Sequence, residues 1–534
     1  MASLPVALAG CEAPAPGLPP GQVVGASQAL GHRLRDGGFP EPGETRTIPA
    51  LIVGGGVAGL SAAWWLGRHG FAEYELLELE PALGGNSRFG ESAVSAYPWG
   101  AHYLPLPGPE ARELRLLLAD LGVLTGDPAA PRPEYNPRYL CFAPQERLYR
   151  NGAWQEGLHP QHGLSPAERD QFARFGERIE TLRQRRDKAG RPAFAIPVAR
   201  SATDADLLAL DRLTMRDWLL REGLDAQPLH WLVNYACRDD YGTDYSQTSA
   251  WAALHYFAAR AGHGLEHGPV LTWPEGNGWL VRQMQARMAG RVHTGALVYR
   301  ITPGSRGAVV DAWLPAENRS LRWQARQVVL ATPVHVAARL LAAPAPELVA
   351  TARAVSHAPW LVANLHLSSP PAERHGQPLC WDNVLYDSAS VGYVVATHQR
   401  LARHTGATVL TWYRPLSELP PGEARLRLQN TPREAWARQI LADLALPHPD
   451  LAERLTGLDI MRWGHAMARP EPGFLTQPAR RALARPGGPV HLAHSDLSGF
   501  SIFEEAHWWG VQAGQRVLAA LGAGYANKAS SFSR

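Results

Sequence analysis

Ala50-Leu-Ile-Val-Gly-Gly-Gly-Val-Ala-Gly-Leu60 decides the reading of this chain. A short apolar run enters Gly54-x-Gly56-x-x-Gly59, and Leu60-Ser-Ala-Ala-Trp-Trp-Leu66 continues with helical character. Strand, tight turn and helix in that order make a dinucleotide site. Gly54 turns the chain off the strand, Gly56 lets backbone approach a pyrophosphate, and Gly59 lets helix and strand pack closely. Val57 and Ala58 fill the turn, and the phosphates would lie on the unpaired N–H groups and positive dipole end of the helix. A second strand, Glu73 to Leu79, carries Glu78, nineteen residues past Gly59. A carboxylate there accepts hydrogen bonds from ribose hydroxyls and disfavours a 2′-phosphate.

A second glycine pair, Gly84-Gly85, follows Glu78 by six residues and runs into Asn86, Ser87 and Arg88. Acid, short spacer and Gly-Gly together resemble the start of the flavin-dependent amine oxidase superfamily, which includes protoporphyrinogen oxidases and phytoene desaturases. That resemblance implies FAD, not NAD. Relatives commonly follow Gly-Gly with Arg, whereas Asn86 stands here and Arg88 lies two places on, leaving open which side chain meets the phosphates. The resemblance extends along residues 48–522. It places Gly100, in Ala96-Tyr-Pro-Trp-Gly-Ala-His102, beneath the isoalloxazine ring. Val298 would pair its backbone with adenine, and Asp496, after the strand Pro489–Ala493, would bond the ribityl chain. The Gly510–Gly514 spacing would let a helix end press on the flavin pyrimidine, where its partial positive charge favours reduced flavin.

The expected architecture is α/β: a discontinuous, doubly wound FAD/NAD(P)-type domain with an inserted α+β substrate domain. Residues 47–108, 289–342 and 456–522 are assigned to the cofactor domain, and 109–288 with 343–455 to the substrate domain. Residues 1–46 and 523–534 read as tails. Among the elements read locally are a hairpin turning at Asn151-Gly152, a capping box at Ser165–Glu168, and a helix capped by Thr214. Arg291 to Ile301 reads as one strand, followed by a hairpin and then a separate apolar strand, Gln327 to Ala331.

The chain's 534 residues suffice for two or three domains' worth of core, and 45% hydrophobic with 19% charged residues is a globular composition. A formal charge of +3 without a basic stripe speaks against nucleic acid as a partner. No apolar run reaches the ~20 residues of a membrane span. Leu4-Pro-Val-Ala-Leu-Ala-Gly-Cys11 is similar to the end of a bacterial lipoprotein signal, without the charged region that should precede it. Two readings follow: a truncated export signal with Cys11 lipidated, on the envelope side, or an accidental N-terminus on a cytoplasmic protein. The other cysteines, Cys141, Cys237 and Cys380, show no metal or redox spacing, and no metal is expected.

Under the resemblance, the chemistry is oxidation of an amine-type small molecule by hydride transfer to flavin N5. Other readings are dehydrogenation of a C–C bond, a non-redox enzyme of the mutase type, and a non-catalytic FAD-binding envelope protein. His102 faces flavin or substrate in one reading and is a backbone-bonded structural histidine in the other. His465, His507 and Trp508 are the candidates on the opposite flank. Many amine oxidases of this kind carry a Lys water-bridged to N5 that assists reaction with oxygen. Here the only lysines are Lys188 and Lys528, which favours an electron acceptor other than oxygen.

Overall fold

The structure is a computed structural model and describes residues 17–160, 162–400, 406–485 and 487–522. The expectation of lipidation at Cys11 lies outside these residues, as does the expected tail 523–534.

Two sheets organise the chain. The first runs Arg291–His293, Tyr74–Leu77, Pro42–Val53, Arg319–Leu330, Ala308–Leu314, Leu297–Pro303, with Val490–Leu492 beside the end of Arg319–Leu330. Its centre is parallel, and only the hairpin strands are antiparallel. Buried on both faces, Pro42–Val53 ends in a continuous apolar run rather than an alternating one. Ala50 and Ile52 point to the core shared with the helix Val57–Arg68, and Leu51 and Val53 to the core on the other side. The helix Phe503–Leu521 lies on Val57–Arg68. Their closeness depends on Gly510, where a Cβ would lie 2.1 Å from the Ala58 carbonyl oxygen.

The second sheet runs Val23–Gly25, Leu455–Ala468, His357–Leu367, Thr408–Pro415, Tyr393–Val395, Asp382–Leu385, Glu146–Arg150, Ala153–Glu156. Leu361, Ala363 and Leu365 pack under the helix Arg433–Ala445, while Trp360 and Val362 join Tyr97, Trp381, Tyr413 and Trp463 on the opposite face. A separate core gathers the helices Pro166–Gln184, Met215–Arg221, Gln227–Tyr241 and Ala250–Ala258.

The local signals hold. Asn151 and Gly152 take φ of 54° and 80° in the tight turn between Glu146–Arg150 and Ala153–Glu156. Ser165 and Glu168 form both bonds of the capping box, and Thr214 accepts from the Asp217 N–H.

Four stretches differ from their sequence reading. Residues 17–46 are not simply tail: Val23–Gly25 pairs in parallel with Ile460–Arg462, and the helix Gln28–Asp36 follows. Ser27 donates its N–H and hydroxyl to Glu80 at 2.7 and 3.0 Å, and Phe39 stacks on Tyr299. Residues 456–468, assigned to the cofactor part, belong instead to Leu455–Ala468, an inner strand of the second sheet, because its backbone bonds go to His357–Leu367. Arg291 to Ile301 is two strands, broken where Gly295 takes φ +67°. Gln327 to Ala331 is no separate strand; it continues the hairpin strand Arg319–Leu330. Among the described residues no helix is long and apolar enough to cross a membrane.

Candidate active site

At the C-terminal ends of the parallel strands lies a cavity of about 1340 Å³. Gly54, Gly56, Val57, Ala58, Glu78, Gly84, Gly85, Asn86, Ser87 and Val298 all line it. Ligands bind at this edge of open α/β sheets.

The glycines meet the demands set by the motif. Gly54 takes φ +103°, and a Cβ on Gly59 would lie 1.9 Å from the Gly54 carbonyl oxygen, so strand and helix touch there. Gly56 and Gly85 face one another: a Cβ on Gly56 would meet nothing nearer than the Gly85 Cα at 4.0 Å. The slot between the two pairs is therefore bare backbone. The helix Val57–Arg68 has no side-chain cap, leaving its first N–H groups for an anion. Glu78 is held by two backbone donors, the N–H groups of Gly55 at 2.6 Å and Glu80 at 2.8 Å. Burial raises its pKa. An acid at one end, uncapped N–H groups in the middle and a glycine slot between fit a dinucleotide.

Several candidates are placed differently. Arg88 does not line the cavity; it donates to Glu80 at 3.2 Å and lies 5.1 Å over the Trp463 ring. Asn86 and Ser87 are the polar side chains at that position, and Asn86 also donates to the Ala466 carbonyl at 2.5 Å. Asp496 is fully buried behind the wall, not in it. Its carboxylate accepts from the Val334 N–H and from His357 Nε2, both at 3.0 Å, and lies 3.3 Å from His494 Nδ1. Burial pushes its pKa up, and the two histidines more than offset this, holding it well below the usual range. His357, His494 and Ser495 line the cavity in its place. Gly510 serves the contact between helices described above, while Ile502 and Phe503, where that helix begins, reach the cavity.

His335, His357 and Asp496 bring one ligand-type atom each within 4.8 Å of one another, a grouping invisible in linear spacing. His465 stacks on His335 at 4.8 Å between centroids. Burial first, then the neighbouring histidines, lowers His335 to about 3; burial and the Arg425 charge lower His465 to about 4. Of this cluster, His357 and His465 line the first cavity, and His335 and Asp496 lie behind them.

A second cavity, about 830 Å³, shares Asn86, Ala101, Ala466, Ser501, Ile502 and Phe503 with the first. Trp360, Tyr413, Trp463 and Tyr103 supply its aromatic surface, and His102 and Gly100 lie in it. A Cβ on Gly100 would sit 2.3 Å from the Asn86 carbonyl oxygen, so only glycine allows this crossing. His102 is lowered to about 4 by burial, against a bond to the Gly100 carbonyl. It is neutral near pH 7, with its ring 4.7 Å from that of Tyr413. Tyr413 donates to the same carbonyl at 3.0 Å.

His507 and Trp508 are not in this site. His507 is buried against the Ser61 hydroxyl at 2.9 Å and beside Trp64, and Trp508 lies under the Arg200 guanidinium. Neither lines any of the cavities described. Each lies one turn further along nearly the same helix face as Phe503 and Glu504, displaced about 6 Å along the axis and so past the cavity. Sequence reasoning missed Leu34, His357, His494 and Ser501 in the cofactor cavity, and Asp239, Arg260 and Glu504 in the second. Ser495 had a signal: it follows Ala493-His494, where relatives place the acid after Ala-Gly.

No curated protein matches the sequence. Among solved structures, a cofactor-binding mutant of putrescine oxidase is 18% identical with a TM-score of 0.67, over 89% of this chain and 99% of that one. Cyclohexylamine oxidase from Brevibacterium oxydans is 17% identical (TM-score 0.61, 89% and 98% covered). A fatty acid isomerase from P. acnes is 14% identical (TM-score 0.59, 88% and 98%). These likenesses show the fold. The profile of flavin-containing amine oxidoreductases matches residues 57–518, most of the chain. With that match, and a cavity built for a dinucleotide, the chain belongs to the flavin-containing amine oxidoreductase family and is an FAD-dependent enzyme.

Proposed function

We propose that the protein oxidises an amine-type small molecule in the second cavity, against FAD in the first. The observation that carries this reading is the junction of the two cavities at Asn86, Ala101 and Phe503, with aromatic walls beyond it. Gly54 to Ala58, Gly85, Asn86 and Ser87 would hold the dinucleotide, and Glu78 its ribose. Bound FAD supplies a two-electron acceptor at N5. The substrate carbon loses a hydride and its nitrogen a proton; water then converts the imine to a carbonyl compound and ammonia.

The residues around the reacting carbon exclude water and favour an uncharged nitrogen. Trp360, Tyr413 and Trp463 remove solvent, and burial disfavours the ammonium form, which cannot donate hydride. His102, already neutral, offers a lone pair without adding charge. The second cavity also contains Asp239 and Glu504, so a carboxylate-bearing substrate such as a fatty acid would meet like charge. The segments of the first sheet are proposed to carry the cofactor, and those of the second sheet, with the helices beside it, the substrate. Of the two lysines, Lys188 is exposed and lines neither cavity. Lys528 lies outside the described residues. This supports an acceptor other than oxygen.

The test is anaerobic addition of amines, amino acids and polyamines to the purified holoenzyme while its visible spectrum is recorded. Bleaching of the oxidised-flavin bands by one class supports the reading. No bleaching by any amine overturns it. Slow recolouring in air would agree with the missing lysine.

A further inference from the structure

Beyond His102 and Tyr103 lies a third cavity of about 720 Å³, sharing Asp239, Arg260 and Tyr413 with the second. Three carboxylates reach it from distant parts of the chain. Glu146 and Asp382 are register partners on adjacent parallel strands, so their side chains leave the same face of the sheet. Asp239 comes from the helix Gln227–Tyr241. Among the described residues none of the three accepts a side-chain hydrogen bond, although the Arg260 and Arg238 charges act on Asp239; Asp382 accepts from the Asn383 backbone N–H. The lining guanidinium, Arg260, is already paired with Asp240.

Like charges directly opposite on neighbouring strands destabilise a sheet, and a buried unpaired carboxylate costs more. Such an arrangement persists where it serves a ligand. Tyr235, only 6% exposed, lines the same cavity, and among the described residues its hydroxyl has no hydrogen-bond partner. Trp381, Tyr103 and Tyr413 offer ring surface to a cation. A bare metal ion does not suit this chamber: among the described residues its three acids are not gathered closely enough to form a metal-type group.

We propose that the third cavity is a cation subsite, which holds the distal ammonium of a linear diamine or polyamine whose other nitrogen lies at the reacting end, in the second cavity. This rests on the amine reading above and deepens it. Glu146, Asp239 and Asp382 receive the ammonium, Tyr235 accepts one of its hydrogens, and the aromatic rings enclose the methylene chain. A monoamine of the same length would leave the acids unpaired.

The experiment compares putrescine, spermidine and n-butylamine on the intact holoenzyme, by calorimetric Kd and by anaerobic flavin reduction. Putrescine or spermidine is expected to bind at least roughly 30-fold more tightly than n-butylamine, the scale of leaving a buried charge unpaired. Asp239→Asn and Glu146→Gln are each expected to shrink that ratio severalfold, and the wild-type comparison stands even where a variant misfolds. Equal affinities for diamine and monoamine overturn the subsite, whether or not either bleaches the flavin. Selective diamine binding without bleaching keeps the subsite and sinks the oxidation reading. Bleaching without selectivity does the reverse.

Discussion

Gly56 offers a clean separation of folding from cofactor binding. A Cβ there meets no protein atom closer than 4.0 Å, yet enters the slot opposite Gly85. Gly56→Val is expected to leave the circular dichroism spectrum intact and to lower flavin content after purification by tenfold or more, on the order of 1.4 kcal/mol. Undiminished flavin would move the phosphate site elsewhere. Glu146 and Asp239 set a pH dependence. Burial raises both to about 7, from 4.5 and 3.8. Asp240 pushes Asp239 further up, and Arg260 and Arg238 pull it down. The folded protein thus keeps protons that the unfolded chain has already lost, so this contribution to stability is complete below the unfolded values and disappears as pH rises through about 7. Without amine, the Tm should fall across that window, and the Tm gain given by putrescine should grow. A flat profile would contradict it. The glycines and Glu78 were legible because their meaning is local to a strand and a turn. The three acids were not, because residues 146, 239 and 382 meet only through folding. That Asp496 lies behind the cavity wall was not legible either, because motif position says nothing about which way a side chain turns.

The helix Phe503–Leu521 was readable from its start and its small residues, but what those residues do was not. Gly510 lets two helices touch. Gly510→Ala would drive a Cβ to 2.1 Å from the Ala58 carbonyl oxygen, whereas the same change at Gly514 meets the Trp65 side chain at 3.2 Å. The first variant should cost about 1–3 kcal/mol and release flavin, since Phe503 moves with the helix; the second should do far less. Thermal shift and flavin content read both. The capping box provides a contrast. Ser165→Ala should weaken the helix Pro166–Gln184 by about 1 kcal/mol, seen as faster amide exchange in its first turn with flavin content unchanged. Hairpin and cap were read correctly because both depend on a few adjacent residues. The break at Gly295 and the membership of Leu455–Ala468 depend on which strand lies alongside, and hydrophobic pattern does not name a partner.

On the scale of the molecule, the resemblance implied that the chain returns to the first sheet from separate segments, and Arg291–His293, Arg319–Leu330 and Val490–Leu492 all join it. The part played by residues 17–46 was not visible, because their proline- and glycine-rich composition resembles linker. Leu34, on the helix Gln28–Asp36, lines the cofactor cavity, so Leu34→Ala should speed loss of flavin during dialysis. An unchanged rate would leave that helix as packing alone.

That same segment orders events in time. Gln22 donates its N–H to Asp459, a residue 437 positions later, and Val23–Gly25 finds its strand partner only in Ile460–Arg462. On the ribosome the first of these elements to emerge therefore waits for nearly the whole chain before it can dock. The helix Gln28–Asp36, which carries Leu34, is held sooner, through Ser27 to Glu80 and Phe39 to Tyr299, so its side of the cofactor cavity needs only about the first 300 residues.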